Sequence, residues 1–199
     1  MADLFTLNDY KTYKGIEHFK DDNKISALVS PVSELAKTYC GTSFVDFYSS
    51  AKTATFDILD SQTTEIFLTE SPLNSVTSVR ERKSITETYT TLTNNEEYYI
   101  DNEHDRIFRI EGEISPKAFA KGFASISVVY TAGYSSTPQD LRLALYDLVN
   151  YYLKEEYKGR KSLAGAAIQN ETATSIRDDI GFPDHIKRIL DMYRVVDVM

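Results

Sequence analysis

Three acidic residues near the middle of the chain have the types and spacing that could bind a divalent cation. They are Asp101, Glu103 and Asp105, with His104 between them. Hard cations take oxygen ligands, but a calcium loop also needs a turn glycine and a closing bidentate glutamate. Arg106 and Gly112 occupy those two positions. We therefore interpret the cluster as the solvated tip of a hairpin. A metal-dependent hydrolase that uses the three acids is the enzymatic alternative.

No other set of residues has the pattern of a catalytic or cofactor site. The histidines, His18, His104 and His185, fall in three separate predicted elements. Cys40 is the sole cysteine, which excludes an internal disulfide and a multi-thiolate zinc site within one chain. The sequence has neither a glycine-rich phosphate loop after a strand nor a G-x-S-x-G elbow. We expect no enzymatic activity, no metal and no cofactor.

The composition is typical of a folded, acidic chain. Of its 199 residues, 42% are hydrophobic and 12% are aromatic, and the net charge is −8. This charge disfavours broad attraction to nucleic acid; it is typical of a soluble protein, or of a surface that faces DNA without holding it. The start of the chain lacks a signal-peptide pattern, and no apolar run approaches about 20 residues. We expect synthesis in a cytoplasm and no membrane partner.

The positive charges are scattered, and the two densest groups are Arg80–Lys83 and Lys158–Lys161. Both lie at the expected ends of elements, and neither interleaves with aromatic residues as a single-strand binder would. Two interpretations are open for these groups. They are loops exposed to solvent, or they contact an acidic protein surface or DNA.

The segment 21–41 is predicted to be helical, because apolar residues recur every three or four positions and Gly41 suits the left-handed position after a helix. Pro31 lies inside this segment and removes a backbone hydrogen bond, so we expect a kink or two helices in series. Residues 7–19 predict a shorter, weaker helix before it.

Between about Thr53 and Tyr130 the apolar pattern changes to that of β-strands. Ser71-Pro72 predicts a turn, and a break in alternation after it predicts a bulge at 76–79. Residues 98–110 predict a hairpin with its tip at 101–105. Residues 124–134 predict the clearest strand, with Ile126, Val128 and Tyr130 on one face.

A helix with clear start signals follows. Thr137 is predicted as its N-cap and Pro138 as its first helical residue. Leucines line one face, and a second stripe lies on roughly the opposite side: Tyr146, Leu153 and Tyr157. A helix with one buried face needs only one stripe. The second is therefore predicted to pack on the β-rich region or on a neighbouring subunit.

After Gly159 the residues are mostly small and polar, without a sustained apolar period. This composition predicts an extended arm that leads to a short amphipathic helix. The apolar stripe of that helix is Ile186, Ile189, Leu190 and Tyr193. A segment with little apolar content gains order by docking on something else. These four residues, with Tyr146, Leu153 and Tyr157, are therefore the candidate interface residues.

Together these patterns predict an α+β fold: a small helical bundle with a β-rich insertion and an extended C-terminal arm ending in a short helix. The expected division places the N-terminal helices in 1–52 and the β-rich insertion in 53–134. The core helix of the bundle takes 135–158, and the arm and last helix take 159–199.

The order of these parts resembles the head–tail connector proteins (adaptor or head-completion proteins) of tailed bacteriophages. The resemblance runs from about Ile25 to Tyr193. It rests on the helix ending in YCG, the SPLNSVTSV run, the YYIDNEHDRIFRI hairpin, the VVYTAGYSSTPQDLRLAL strand and helix, and the late FPDHIKRILDMYR helix. It implies a structural virion protein without enzymatic activity or cofactor. Such a protein forms a ring, commonly dodecameric, beneath the portal, where it extends the DNA channel and docks the next neck or tail component.

By the same resemblance, the helix Thr137–Tyr157 would lie in the core of the ring. The arm and the last helix would contact the portal protein or a neighbouring subunit, and the hairpins would face outward or toward the tail. DNA would pass through the channel without specific binding. The alternative within the same assembly is a stopper or tail-side connector component.

Overall fold

The computed structural model describes residues 2–112, 114–154 and 183–195. They divide into two compact units. The helical unit takes the chain up to Cys40 and again from Ser136 to Arg194, and the β-rich unit takes Gly41–Ser135 between these two parts. The predicted α+β class is thereby confirmed. The predicted arm lies almost wholly outside the described residues, and the finer segment boundaries stay predictions.

The described part of the helical unit contains four helices. They are α1 (Leu7–Lys14), α2 (Asp22–Cys40), α3 (Gln139–Leu153) and α4 (Asp184–Asp191). The short first helix begins with a capping box, in which Thr6 and Asp9 each accept a hydrogen bond from the backbone N–H of the other. None of the helices in the described residues is long and apolar enough to cross a membrane.

Pro31 lies within α2, which runs without interruption from Asp22 to Cys40. The expectation of two helices in series was therefore wrong. Proline removes a hydrogen bond to the carbonyl of Ala27. Both Pro31 and Ala27 are exposed, so water can satisfy that carbonyl and the helix continues. Gly41 follows the helix with φ +71°, as predicted.

The predicted start of α3 was wrong by one position. Pro138 is the N-cap, because its carbonyl accepts the first helical hydrogen bond, from Arg142 N at 3.0 Å. Thr137 does not cap the helix. Its buried hydroxyl donates to the carbonyl oxygen of Leu4 at 2.6 Å instead. This bond ties the start of α3 to the N-terminal segment, far away in sequence.

Among its described residues, the β-rich unit contains two antiparallel sheets. The strands are β1 (Lys52–Ile58), β2 (Glu65–Phe67), β3 (Leu73–Glu81), β4 (Thr90–Thr91), β5 (Tyr98–Asp101), β6 (Arg106–Glu111), β7 (Ser115–Pro116) and β8 (Gly122–Ala132). The first sheet has the order β1-β8-β3-β4, and the second has the order β2-β6-β5, with β7 paired to β6. The predicted hairpin is the pair β5 and β6.

The long strand β8 is the centre of the first sheet and of the core of this unit. Ile126, Val128 and Tyr130 are fully buried on one face, as their alternation predicts. The register of β3 against β8 shifts between Val76 and Ser78, which confirms the predicted bulge. The core of the β-rich unit is therefore built on the segment with the clearest strand pattern.

A buried carboxylate anchors the start of the β-rich unit. Glu70 accepts hydrogen bonds from the hydroxyls of Thr42 and Ser43, from Ser43 N at 2.8 Å and from Lys52 Nζ at 2.8 Å. Burial acts to raise the pKa of Glu70, but the bonds from Lys52 and Ser43 outweigh it and hold that pKa below its usual value. The ionised side chain thus fixes the loop before β1.

Candidate assembly surfaces

Two carboxylates of the acidic hairpin tip, Asp101 and Asp105, form hydrogen bonds within the β-rich unit. Asp101 accepts from Arg106 Nε at 2.9 Å and from Glu103 N at 3.1 Å, and its other contact is His104 Nδ1 at 3.0 Å. The bond from Arg106 is the main reason that the pKa of Asp101 lies below its usual value. Asp105 accepts from Leu73 N at 2.6 Å. Within the described residues, no three or more His, Cys, Asp or Glu side chains are placed to hold a metal ion.

The side of α3 that carries Tyr146 is covered by the N-terminal segment of the same chain. The Tyr146 ring stacks on Tyr13, with centroids 4.8 Å apart, and makes edge contacts with Phe5 and Tyr10 at 5.6 and 6.0 Å. Burial raises the pKa of Tyr146. The hydroxyl of Tyr10 also donates to Asn150 Oδ1 at 2.7 Å. This packing joins α1 to α3 inside the helical unit.

The last helix, α4, packs on α2 and α3 through its apolar stripe. Ile186 and Leu190 are fully buried. Two tyrosine hydroxyls connect the C-terminal end of α4 to the neighbouring helices. Tyr39 of α2 donates to Asp191, and Tyr193, just after α4, donates to Asp140 Oδ1 of α3 at 2.6 Å. The helix is therefore part of the core of the helical unit in the single chain.

The seven predicted interface residues thus fall into three groups. Tyr146, Ile186 and Leu190 are buried, Leu153, Ile189 and Tyr193 are half-buried, and Tyr157 lies outside the described residues. A buried side chain offers little area to a second molecule. The assembly role of the set stays a prediction, and it applies most directly to the half-buried residues.

Sequence reasoning missed the large apolar side chains that remain most exposed. In the helical unit they include Phe19, Leu143 and Met192, and in the β-rich unit they include Leu59, Ile85, Ile114 and Phe123. Their exposure depends on tertiary packing that no local pattern reports.

Comparison with protein families gives one match that spans nearly the whole chain. The model of the family described as head completion protein matches residues 3–196. A relative, the head completion protein of Escherichia phage T5, is 26% identical over 194 residues, which cover 97% of this chain and 99% of the relative. The match includes both units of the fold.

Solved structures from gene transfer agent (GTA) particles have a similar fold. A chain from the virion of the native particle superposes with a TM-score of 0.58 and 16% identity, covering 98% of this chain and 92% of the other. A chain from the neck of the native particle, computed with C12 symmetry, gives a TM-score of 0.52 and 15% identity, with coverages of 100% and 96%. At this identity the likeness establishes the fold alone.

Proposed function

The chain belongs to the head completion protein family, and on this premise we propose that it is a structural protein of the virion neck, at the interface between head and tail. The observation that carries the proposal is the family match over residues 3–196, which leaves neither unit of the fold outside it. The neck location is also consistent with the GTA particles in which the fold recurs.

The proposed role is structural rather than enzymatic. Two of the three acids that were candidates for metal-dependent hydrolysis, Asp101 and Asp105, are hydrogen-bonded to Arg106 and to backbone N–H groups of their own unit. Catalysis by such a site needs carboxylates that converge on a reacting atom or a metal. Carboxylates that hold a loop are instead typical of a scaffold.

The assembled form that we propose is a dodecameric ring beneath the portal. Its partners are other copies of the chain, the portal protein above, and the next neck or tail component below. A ring closes when each subunit contacts its neighbour through two different surfaces. Leu153, Ile189 and Tyr193 of the helical unit are half-buried in the single chain and belong to the surface proposed to meet a neighbour or the portal. The symmetry computed for the neck of the native GTA particle is in keeping with this copy number.

The ring is proposed to extend the DNA channel without binding DNA specifically. The net charge of −8 supports this part of the proposal. A wall rich in Lys and Arg would bind phosphates and release counterions, and DNA would be held rather than passed along. An acidic lumen repels the phosphates and lets the duplex slide.

Electron microscopy of the purified chain, alone and mixed with its portal protein, tests this proposal. Rings capping the portal vertex are the expected result, with class averages that give the copy number directly. A chain that stays monomeric and does not bind the portal contradicts the proposal. A chain that binds purified tail subunits but not the portal assigns it instead to the tail-side or stopper position.

A further inference from the structure

The outward face of the second sheet carries three aromatic side chains. Alternation along β6 buries Ile107 and directs Phe108 to the opposite face, where the register places Tyr99 of β5 beside it. The ring centroids of Tyr99 and Phe108 are 6.4 Å apart. On the same face Phe67 of β2 lies opposite Arg106, whose guanidinium is 4.7 Å from the Phe108 ring centroid. We call Phe67, Tyr99 and Phe108 the aromatic face.

Tyr99 is the side chain of the aromatic face that is best placed to enter a partner. It is 52% exposed, the highest value among the tyrosines that the structure describes. Its hydroxyl makes no hydrogen bond within residues 2–112, 114–154 and 183–195. Tyrosine combines a large apolar ring with a polar tip, and it is enriched at protein interfaces for that reason.

The hairpin tip that follows β5 keeps one carboxylate unpaired. Arg106 pairs with Asp101 at 2.9 Å and with Glu65 at 3.1 Å, and its charge is thereby used within the sheet. Glu103 at the tip is exposed, and its carboxylate forms no ion pair with any described residue. A partner of the aromatic face therefore gains from a cation near Glu103.

A groove elsewhere on the β-rich unit has the complementary character. It has a volume of about 230 Å³, and its lining includes Lys83, Ile85, Phe123 and Ser125. We call these four residues the apolar groove, since Ile85 and Phe123 are 69% and 68% exposed. Arg82 lines it too, but its guanidinium already donates to two backbone carbonyls. Lys83 is exposed and has no carboxylate partner in the described part of the chain.

The floor of the apolar groove contains a hydroxyl without a partner. Ser125 is 2% exposed, and its Oγ makes no hydrogen bond to any described residue. A buried hydroxyl that is left unpaired costs free energy. An occupant of the groove therefore needs an apolar body for Ile85 and Phe123 and a polar tip for Ser125. A tyrosine side chain meets both requirements.

We propose that the apolar groove receives Tyr99 of a neighbouring copy of the chain. In this contact the Tyr99 ring packs between Ile85 and Phe123. Its hydroxyl forms a hydrogen bond with the Ser125 hydroxyl, and the other two rings of the aromatic face cover the rim of the groove. The inference rests on the proposed ring and names one of its subunit contacts.

Other exposed side chains of the described residues fit the groove less well. Tyr13 already stacks on Tyr146 of its own chain. Tyr48 is exposed, but no aromatic ring lies beside it among the described residues to extend the contact. Leu59 is exposed and apolar but has no polar tip. DNA is also a poor occupant, because it binds through many phosphate contacts and the groove offers one unpaired cation, Lys83.

The two surfaces meet the requirement of a closed ring. The apolar groove and the aromatic face lie at different places on one unit, so each copy carries one of each and the contact repeats head to tail. At the rim, Glu103 of one copy lies near Lys83 of the next. Opposite charges across such a contact fix its register and exclude wrong pairings.

Chemical crosslinking between two single variants tests the contact. An affinity-tagged Glu103→Cys chain is mixed with an untagged Lys83→Cys chain, assembled with the portal and treated with a short bismaleimide. These substitutions leave Tyr99 and the apolar lining intact. The control replaces Glu103→Cys by Glu111→Cys, at an exposed acid on the opposite end of β6. The native Cys40 is buried and adds no background. We expect at least about tenfold more mixed dimer than the control gives, because the contact holds the two thiols within reach.

A double-mutant cycle tests the pair of hydroxyls. Tyr99→Ala is expected to weaken self-association at least about tenfold, because buried aromatic anchors dominate interface energies. Unfolding of the monomer, measured in parallel, is expected to change little since Tyr99 is exposed in the single chain. Tyr99→Phe keeps the ring and is expected to weaken self-association about fivefold through the lost hydrogen bond. In a Ser125→Ala chain the same change is expected to have no further effect.

Charge reversal at the rim gives an independent check. Lys83→Glu is expected to weaken assembly, and Glu103→Lys in the same chain is expected to restore it. Normal rings that give no mixed dimer overturn this contact but not the proposed function. Monomers in every condition overturn the ring and the contact together. If Tyr99→Ala forms normal rings that no longer bind the next neck or tail component, the aromatic face belongs to that component, and the proposal is again overturned.

Discussion

Gly133 lies so close to Phe44 that a side chain at position 133 would overlap the Phe44 carbonyl oxygen. Gly133 also has φ +99°, in the region that glycine adopts without strain. The same carbonyl accepts a hydrogen bond from Tyr134 N at 2.7 Å, so the contact fixes the direction in which the chain leaves β8. The Tyr-Thr-Ala-Gly-Tyr stretch therefore needs glycine at position 133, because the backbone of Phe44 leaves no room for a side chain there.

We expect Gly133→Ala to destabilise the β-rich unit by at least about 2 kcal/mol, because strain at φ and a steric overlap act together. Gly112→Ala is the matched control. Gly112 also has a positive φ, of +66°, but open space where the new Cβ would lie, so we expect a loss of only about 1 kcal/mol. Urea denaturation followed by circular dichroism measures both. Equal losses would show that the Phe44 contact has no cost of its own.

Local patterns in the sequence were sufficient for most of the elements. The three-and-four spacing predicted α2 and the helical stripe of α4, and strict alternation predicted β8 and its buried face. These signals are local because each depends on residues of one element. The expectation of two separate helices around Pro31 failed because the effect of a proline depends on exposure: water can reach the carbonyl that it leaves unpaired.

The contacts that build the surfaces could not be predicted in this way. The Thr137 hydroxyl binds the carbonyl of Leu4, and Tyr146 packs on Phe5 and Tyr13. These partners are more than a hundred residues apart in sequence, and no spacing rule joins them. The same limit applies to the exposure of Ile85, which depends on the packing of the whole unit. An amphipathic stripe indicates that a helix face is buried, but it does not identify the residues that pack on that face.

Glu70 makes the stability of the β-rich unit depend on pH. Its pKa in the folded chain is held below the ordinary value of 4.5, so its contribution is fully present above that value and is lost as the pH falls through the folded pKa. We expect Glu70→Gln to lower the free energy of unfolding by about 2 kcal/mol at pH 7, since it removes charge-assisted hydrogen bonds. The measurement is urea denaturation at a series of pH values.

The difference between wild type and Glu70→Gln is expected to shrink below pH 4.5, because protonation removes the same charge from the wild type. Glu111→Gln serves as the control at an exposed ion pair with Lys117, where we expect no measurable change in stability. A gap between wild type and Glu70→Gln that stays constant from pH 7 down to strongly acidic pH would rule out the ionised carboxylate as its source.

The burial of α4 predicts that its stripe stabilises the single chain. Leu190→Ala removes a fully buried side chain, and we expect a loss of about 2–5 kcal/mol in the free energy of unfolding. Met192→Ala, two residues further on and exposed, is expected to change it by less than about 0.5 kcal/mol. Denaturation of the monomer compares the two. Similar, small effects would mean that α4 does not stay packed in solution.

Cys40 is expected to resist thiol reagents in the folded protein. Burial raises the pKa of its thiol to about 12, so at pH 8 almost no reactive thiolate forms. In the unfolded chain the thiol returns to its ordinary range and reacts quickly. Labelling with a maleimide in increasing urea should therefore follow the unfolding transition. Rapid labelling in the absence of urea would contradict the burial of this residue.

Tyr146 allows packing within the chain to be separated from contact between subunits. Its ring fills the space among Phe5, Tyr10 and Tyr13, so Tyr146→Ala should lower the free energy of unfolding of the monomer by about 3–5 kcal/mol. Tyr146→Phe keeps the ring, and we expect a change below about 1 kcal/mol. A residue that served only the assembly would behave differently, because its truncation would leave monomer unfolding unchanged and reduce ring formation. Measuring both monomer unfolding and the fraction of chains in rings therefore tests whether Tyr146 acts within its own chain, as its packing indicates, or at a subunit contact.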